Sequence, residues 1–323
     1  MFVLGLDIGY SNLKIAYGQA GLSPTVAIRP SGAAPLSRVH PAVSVSGADG
    51  IRVTVDGEDY LCCVHPEKLE NWTRVLHDDF PDSKDYRALF MAALSIVNRP
   101  VIDCLVVGLP VDQYFDKNRR ESLQRKLEGT HRNGQAAYCV RQVIVVPQPI
   151  GGYMDMLSGS GNTNLHEQRV LVCDPGFFSM DWVLVQDGQV RKQASGSSRL
   201  ASSVVLEETS QLIFDEHDAK VSRERLEWII QKGSQQLPFR GATLDIGPYL
   251  ARAAAKISSM VVNEILDSLR REKTDADVVL MVGGGAEYFA RSIKDSLGNV
   301  MGHTARNPAL ANARGFWQYG ASN

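Results

Sequence analysis

Two stretches of this chain share one design: an apolar run, an acid at its end, a glycine-containing turn and a second apolar run. The first is GLDIGYSNLKIAYG, residues 5–18, where Asp7 closes the first run and Lys14 lies inside the second. The other is QRVLVCDPGFFSMDWVLVQDGQV, residues 168–190, where Asp174 closes the first run. Two short apolar runs around a polar, glycine-bearing turn read as a β-hairpin. A hairpin heading each half of the chain predicts an α/β protein of two related lobes with a cleft between them.

The segments between the hairpins fit that plan. KDYRALFMAALSIVNR carries apolar residues at helical spacing and stops before Pro100, because the residue before proline avoids the helical region; a helix over about 83–98 follows. VIDCLVVGLP is then a buried strand, DKNRRESLQRKLEG an exposed charged helix and AAYCVRQVIVVPQP a strand region, a β-α-β order that implies a parallel or mixed sheet. Residues 30–66, rich in Gly, Pro and Ser with alternating stretches AVSVSG and IRVTVDGEDYLC, predict a small β-rich insertion reaching to about 75. In the second half, helical patterns near 199–217, 222–232 and 247–272 precede the strand DVVLMVGGG, a helix near 286–297 and a last helix in PALANARGFWQYG. The division expected is 1–150 and 151–323, with the final helix, about 308–321, packing back on the first lobe.

In the first turn the amides of Gly9, Tyr10, Ser11 and Asn12 point outward from a tight bend, and such amides bind phosphate oxygens. Ser11 and Asn12 add side-chain donors. Lys14 returns beneath the same phosphates as a point charge, and Asp7 holds Mg²⁺ through water. A charged hairpin with a surface lysine and a capping aspartate is the alternative that this segment alone leaves open. The second turn offers Asp174, Gly176, Ser179 and Asp181, and a nucleotide clamped from two sides needs a second acid of this kind. Between them, Gln148 stands at a strand end flanked by Pro147 and Pro149, where it either orients a water for attack on phosphorus or sits in a rigid turn facing solvent. Near the end, Gly283, Gly284 and Gly285 join a buried strand to a helix and let a flat base or ribose approach the backbone.

Other chemistries find no pattern here. There is no GxxxxGK[ST] loop, no GxGxxG after the first strand, no HExxH and no Cys/His zinc spacing. KNRRESLQRK reads as a solvated helix face and GSGNTN, residues 159–164, as a loop tip. A net charge of −2 supplies no global field toward nucleic acid or an anionic membrane, so strong direct DNA binding is not expected. No stretch approaches the ~20 apolar residues of a membrane span and the start has no basic leader, so a cytoplasmic protein without membrane attachment is expected. The five cysteines, Cys62, Cys63, Cys104, Cys139 and Cys173, form no CxxC pair, which suits a reducing compartment.

Taken in order, LDIGYSNLK, VVPQPIGGY, CDPGFFSMD and LMVGGGAEY resemble the phosphate 1, connect 1, phosphate 2 and adenosine motifs of the actin, sugar kinase and heat-shock chaperone ATPase superfamily. The compact length, VVGLPVDQY and the NARGFWQYG ending are most similar to the actin-like ATPases of the ParM/StbA plasmid-segregation group. The resemblance implies two ribonuclease H-like lobes, ATP or ADP with Mg²⁺ in the cleft, and head-to-tail filaments governed by hydrolysis and linked to DNA by an adaptor protein. It assigns Asp7 and Asp174 to the Mg²⁺ waters, Gly9–Asn12 and Gly176–Ser179, with Phe177, to the phosphate loops, and Lys14 to a phosphate. By the same resemblance Gln148 positions the hydrolytic water, Gly283–Gly285 line the adenosine, and the helix around RERLEWIIQK is where base contacts are often drawn. Tyr10, Pro175, Phe177 and Phe178 depart from the pattern, standing where smaller or more polar residues are common. A small-molecule kinase of the same superfamily, acting on a sugar or acid, is the alternative function; it needs a base for the substrate hydroxyl, and no such acid with a sugar-recognition motif appears between 60 and 130.

Overall fold

The computed structural model describes residues 1–39, 50–65, 69, 76–160, 165, 167–298 and 300–323. The alternating stretch AVSVSG and most of the GSGNTN tip lie outside the described residues. The chain divides into two compact units, Met1–Leu165 with Ala305–Asn323, and His166–Thr304.

The first unit begins with the hairpin β1 (Phe2–Ile8) and β2 (Asn12–Gln19), continued by β3 (Thr25–Pro30). A three-stranded antiparallel sheet follows from β4 (Gly32–Pro35), β5 (Ile51–Val55) and β6 (Glu58–Val64), ordered β4-β6-β5. Helix α1 (Lys84–Val97) starts where the Ser83 hydroxyl accepts the Tyr86 N–H at 3.1 Å and ends at Asn98 with φ 48°, just ahead of Pro100. After β7 (Val101–Ile102) and β8 (Cys104–Leu109) come α2 (Val111–Phe115), α3 (Lys117–Leu127), β9 (Gly129–Asn133), β10 (Ala136–Val140), β11 (Val143–Pro147) and α4 (Gln148–Ser160).

The main sheet runs β11-β8-β1-β2-β3, with β1 antiparallel to β2 and parallel to β8. Alternate residues of its strands serve opposite faces. Leu4 and Leu6 of β1, with Leu105 and Val107 of β8, enter the core built around α1, whereas Val3, Cys104 and Val106 pack against Phe316 and Trp317 of the C-terminal helix, Pro308–Ser322. That helix approaches α4 so closely that only glycines fit: a Cβ on Gly315 would lie 1.7 Å from the Gly151 carbonyl oxygen. Arg314 pairs with Asp155 through Nε and Nη2, and Asn312 Oδ1 accepts the Gly152 N–H at 3.1 Å. The last residues of the chain thus complete the core of the first unit.

The second unit holds β12 (Val170–Pro175), β13 (Met180–Gln186), β14 (Gln189–Ser198), α5 (Ser202–His217), α6 (Arg223–Gln231), the hairpin β15 (Gln236–Phe239) and β16 (Ala242–Asp245), α7 (Gly247–Glu272), β17 (Val278–Met281), α8 (Ala286–Leu297) and β18 (Met301–Thr304). Its sheet is ordered β14-β13-β12-β17-β18. Both units therefore put an antiparallel hairpin and its extension on one side of the first strand and two parallel strands on the other. Helix α7 buries Ala253, Ile257, Val261 and Ile265 in one stripe against this sheet, as its 3.6-residue period requires.

Candidate functional site

The first turn is built at the top of β1. Register sets Asp7 directly opposite Lys14, so both side chains stand on one face of the sheet. Lys14 Nζ donates to Asp7 Oδ2 at 2.9 Å, and Gln148 Nε2 reaches Asp7 Oδ1 at 3.4 Å. The carboxylate is only 2% exposed, and this pairing with a cation and an amide is what makes its burial tolerable. Its charge also acts on Tyr86, whose phenol is pushed up by burial first and by Asp7 second. Gln148 opens α4, and its seat depends on Gly108 of β8, where a Cβ would come within 2.6 Å of the Gln148 Cγ. Gly108 carries no chemistry of its own, and its only trace in the sequence is a glycine inside an otherwise apolar strand.

The turn closes through Gly9 N–H to the Asn12 carbonyl at 3.0 Å, and Asn12 Nδ2 donates to Ser11 Oγ at 3.1 Å. Tyr10 sends its ring away from this turn: the hydroxyl donates to the His77 carbonyl and the ring stacks on Phe80, centroids 4.3 Å apart. Phe80 meets Tyr86 edge-on, so the bulk of Tyr10 belongs to an aromatic chain at the start of α1.

The second turn copies the closure. Gly176 N–H donates to the Ser179 carbonyl at 2.8 Å, one residue after β12 ends. Asp174 and Asp181 are cross-strand partners in the register that Asp7 and Lys14 occupy in the first unit, so an acid stands in the lysine's place. Asp181 is 1% exposed and accepts Ser179 Oγ at 2.6 Å and the Ser197 hydroxyl. Ser179 has therefore committed its proton to Asp181 and presents lone pairs in any other direction. Phe177 leaves the turn to pack with the cluster of Leu206, Leu226 and Tyr249, and Phe178 lies under the Arg199 guanidinium, 4.5 Å from the ring centre. The thiol of Cys173 is pushed up by burial and by neighbouring Asp174.

The glycine run after β17 belongs to the same corner. Gly283 has φ 78° and a Cβ there would lie 2.1 Å from Asp174 Oδ1; one on Gly285 would lie 2.2 Å from Ser202 Oγ. Two of the three glycines are thus required by the protein's own atoms, the Pro175 carbonyl lying 2.9 Å from a Cβ at either, and Gly284, with nothing within 4 Å, is the one with an open face. The Gly285 N–H donates to the Pro175 carbonyl at 2.9 Å, tying the run to the second turn. On α6, Glu227 is buried and accepts Gln231 Nε2 at 3.1 Å.

The structure thus gathers Asp7, Gly9, Ser11, Asn12, Lys14 and Gln148 at one corner of the first unit, and Asp174, Gly176, Ser179, Asp181 and Gly283–Gly285 at the matching corner of the second. Tyr10, Phe177 and Phe178 contribute backbone to the turns and direct their side chains elsewhere. Among the described residues, no three His, Cys, Asp or Glu side chains gather into a metal-binding group, and no helix is long and apolar enough to cross a membrane.

Residues 5–151 match the family model of the N-terminal domain of actin-like proteins, and residues 172–295 that of the C-terminal domain of archaeal MreB-like actin homologues. No curated protein matches the sequence. Among solved structures, the chain is similar to the archaeal actin homologue Ta0583, with a TM-score of 0.79 at 17% identity over 100% of both chains. The ADP complex of that homologue is similar with a TM-score of 0.77 at 18% identity, again over 100% of both. A 15-stranded ParM filament from Clostridium botulinum gives 0.75 at 16% identity, covering 100% of this chain and 99% of the other.

Proposed function

We propose that this chain, which belongs to the actin-like proteins, binds ATP with Mg²⁺, hydrolyses it and polymerises head to tail into filaments that segregate plasmid or other DNA through an adaptor protein. The observation that carries this reading is the duplicated corner: a buried acid at the end of the first strand of each unit's hairpin, beside a turn closed by a glycine amide. Solved relatives support both parts of it, one as an ADP complex and one as a filament.

The residues present fit the nucleotide and its metal. A Mg²⁺ ion keeps much of its water and takes phosphate oxygens, so it needs one or two acids and no cage of side chains. Asp7 and Asp174, each buried beside the turn of its unit's hairpin, suit that role. When bound, ATP would supply the γ-phosphoryl group and Mg²⁺ would offset its charge, with Asp7 and Asp174 holding the ion's waters. The Gly9 and Gly176 amides, expected to face outward, instead close the two turns, so the amides of Tyr10–Asn12 and Phe177–Ser179 bind the phosphate oxygens, and Lys14, held by Asp7, adds a fixed positive charge to the first turn. Gln148 orients the water that attacks, a role that its seat on Gly108 and its bond to Asp7 make reproducible. Gly284 offers backbone to the adenosine.

The test is phosphate release and light scattering from the purified protein with ATP and Mg²⁺. Both should rise above a critical concentration. Flat scattering over a broad concentration range would remove polymerisation from the account, and absent phosphate release would remove hydrolysis.

A further inference from the structure

Among the described residues, two buried side-chain polar atoms have no hydrogen-bond partner, the hydroxyl oxygens of Ser31 and Ser202. Each lies beside one of the two turns, at a different position of it. The Ser31 N–H donates to the Ser11 carbonyl at 3.1 Å and the Ser202 N–H to the Gly176 carbonyl at 3.2 Å, so each serine braces one of the two turns. Ser31 is 5% exposed and Ser202 7%. The Ser202 oxygen also sits against the glycine run, where it and the Pro175 carbonyl leave Gly285 no room for a Cβ.

Leaving a hydroxyl buried and unpaired is unfavourable, and an alanine at either place would remove the cost without changing the backbone bond. A penalty retained behind both turns points to a group that arrives from outside. We propose that Ser31 and Ser202 are ligand-binding residues: each hydroxyl is unpaired in the free protein and donates to an oxygen of the bound nucleotide, a phosphate oxygen at Ser31 and a phosphate or sugar oxygen at Ser202. The movement required is a rotation about χ1, which offers a serine three staggered positions. This assignment rests on the nucleotide reading above. It also departs from the pattern of the turns themselves, since Ser179 has given its proton to Asp181 and Ser202 supplies a donor at the same corner.

The signature is a split between stability and affinity. The experiment compares the full chain with Ser31→Ala, Ser202→Ala and the double variant, measuring Tm without nucleotide and Kd for Mg·ADP and adenosine by calorimetric titration. Each alanine should leave the Tm of the free protein unchanged or raised while weakening Mg·ADP roughly 3- to 10-fold. For Ser202→Ala, weakening of adenosine and Mg·ADP alike assigns a sugar oxygen, and weakening of Mg·ADP alone a phosphate oxygen. Affinities within twofold of the unsubstituted protein overturn the proposal, as does a parallel loss of Tm and affinity, which marks a packing role. If the unsubstituted protein binds no nucleotide, the functional reading itself is overturned and this assignment falls with it.

Discussion

Asp7 and Gln148 touch each other, yet their removal should have different consequences. Asp7→Ala leaves the nearly buried Lys14 without its carboxylate, at a cost of about 3–5 kcal/mol. Asp174 has a serine-bridged acid across the sheet in place of a lysine, so Asp174→Ala should spare the fold, abolish hydrolysis and weaken Mg·ATP binding. Gln148→Ala should slow single-turnover hydrolysis and leave nucleotide affinity near that of the unsubstituted protein; equal losses of binding in both variants would contradict the roles given to them. Burial pushes the thiols of Cys62, Cys63, Cys104 and Cys173 up, Cys63 to about 12, so at pH 8 iodoacetamide should label the native protein chiefly at half-buried Cys139. Burial lowers His131 below its ordinary 6.5, against the opposing bond to the Leu127 carbonyl. The folded state then binds fewer protons than the unfolded one below about pH 6.5, so this contribution to stability is present above that pH and is lost as pH falls through the folded value. Urea midpoints at pH 7.5 and 5.5 should converge in His131→Gln.

At the scale of elements, the C-terminal helix makes the sharpest prediction. Phe316 and Trp317 are buried against the first-unit sheet and contribute about 1.5–3 kcal/mol each by the usual area relation. Gly315→Ala would drive a Cβ to 1.7 Å from the Gly151 carbonyl oxygen and force the helix off α4, so it should lower stability in urea by more than about 2 kcal/mol. Gly159→Ala, in the same helix pair with open space around it, is the control and should stabilise by about 0.5–1 kcal/mol. The elements differ in how far the sequence announces them. Ser83, Asn98 and Pro100 mark both ends of α1 locally, and the acid–turn–hairpin pattern marks β1–β2 and β12–β13 because its signal lies within one short segment. The hairpin β15–β16 is silent, since its strands are four residues each and its turn rests on Arg240 and Gly241, at φ 48° and 81°. At the site, the acids and turns are legible, whereas the seat of Gln148 on Gly108, the outward course of Tyr10 and the hydroxyls behind the turns depend on contacts with distant segments. The bulk of Phe177 reads as an obstruction in a turn until the cluster that receives it is known.

For the whole molecule, each unit repeats the sheet order and carries its own buried acid, and the function proposed above uses both acids. Substituting either Asp7 or Asp174 should therefore remove nucleotide-dependent assembly, even where the Asp174 variant remains folded by circular dichroism. A net charge of −2 leaves little long-range repulsion between copies, so assembly should be governed by nucleotide state more than by ionic strength. The most direct measurement is electron microscopy of the purified protein with Mg²⁺ and a non-hydrolysable ATP analogue. Filaments should form with the analogue, with none in the absence of nucleotide and none in Asp174→Ala; discrete particles with the analogue across a broad range of protein concentration would contradict nucleotide-driven polymerisation.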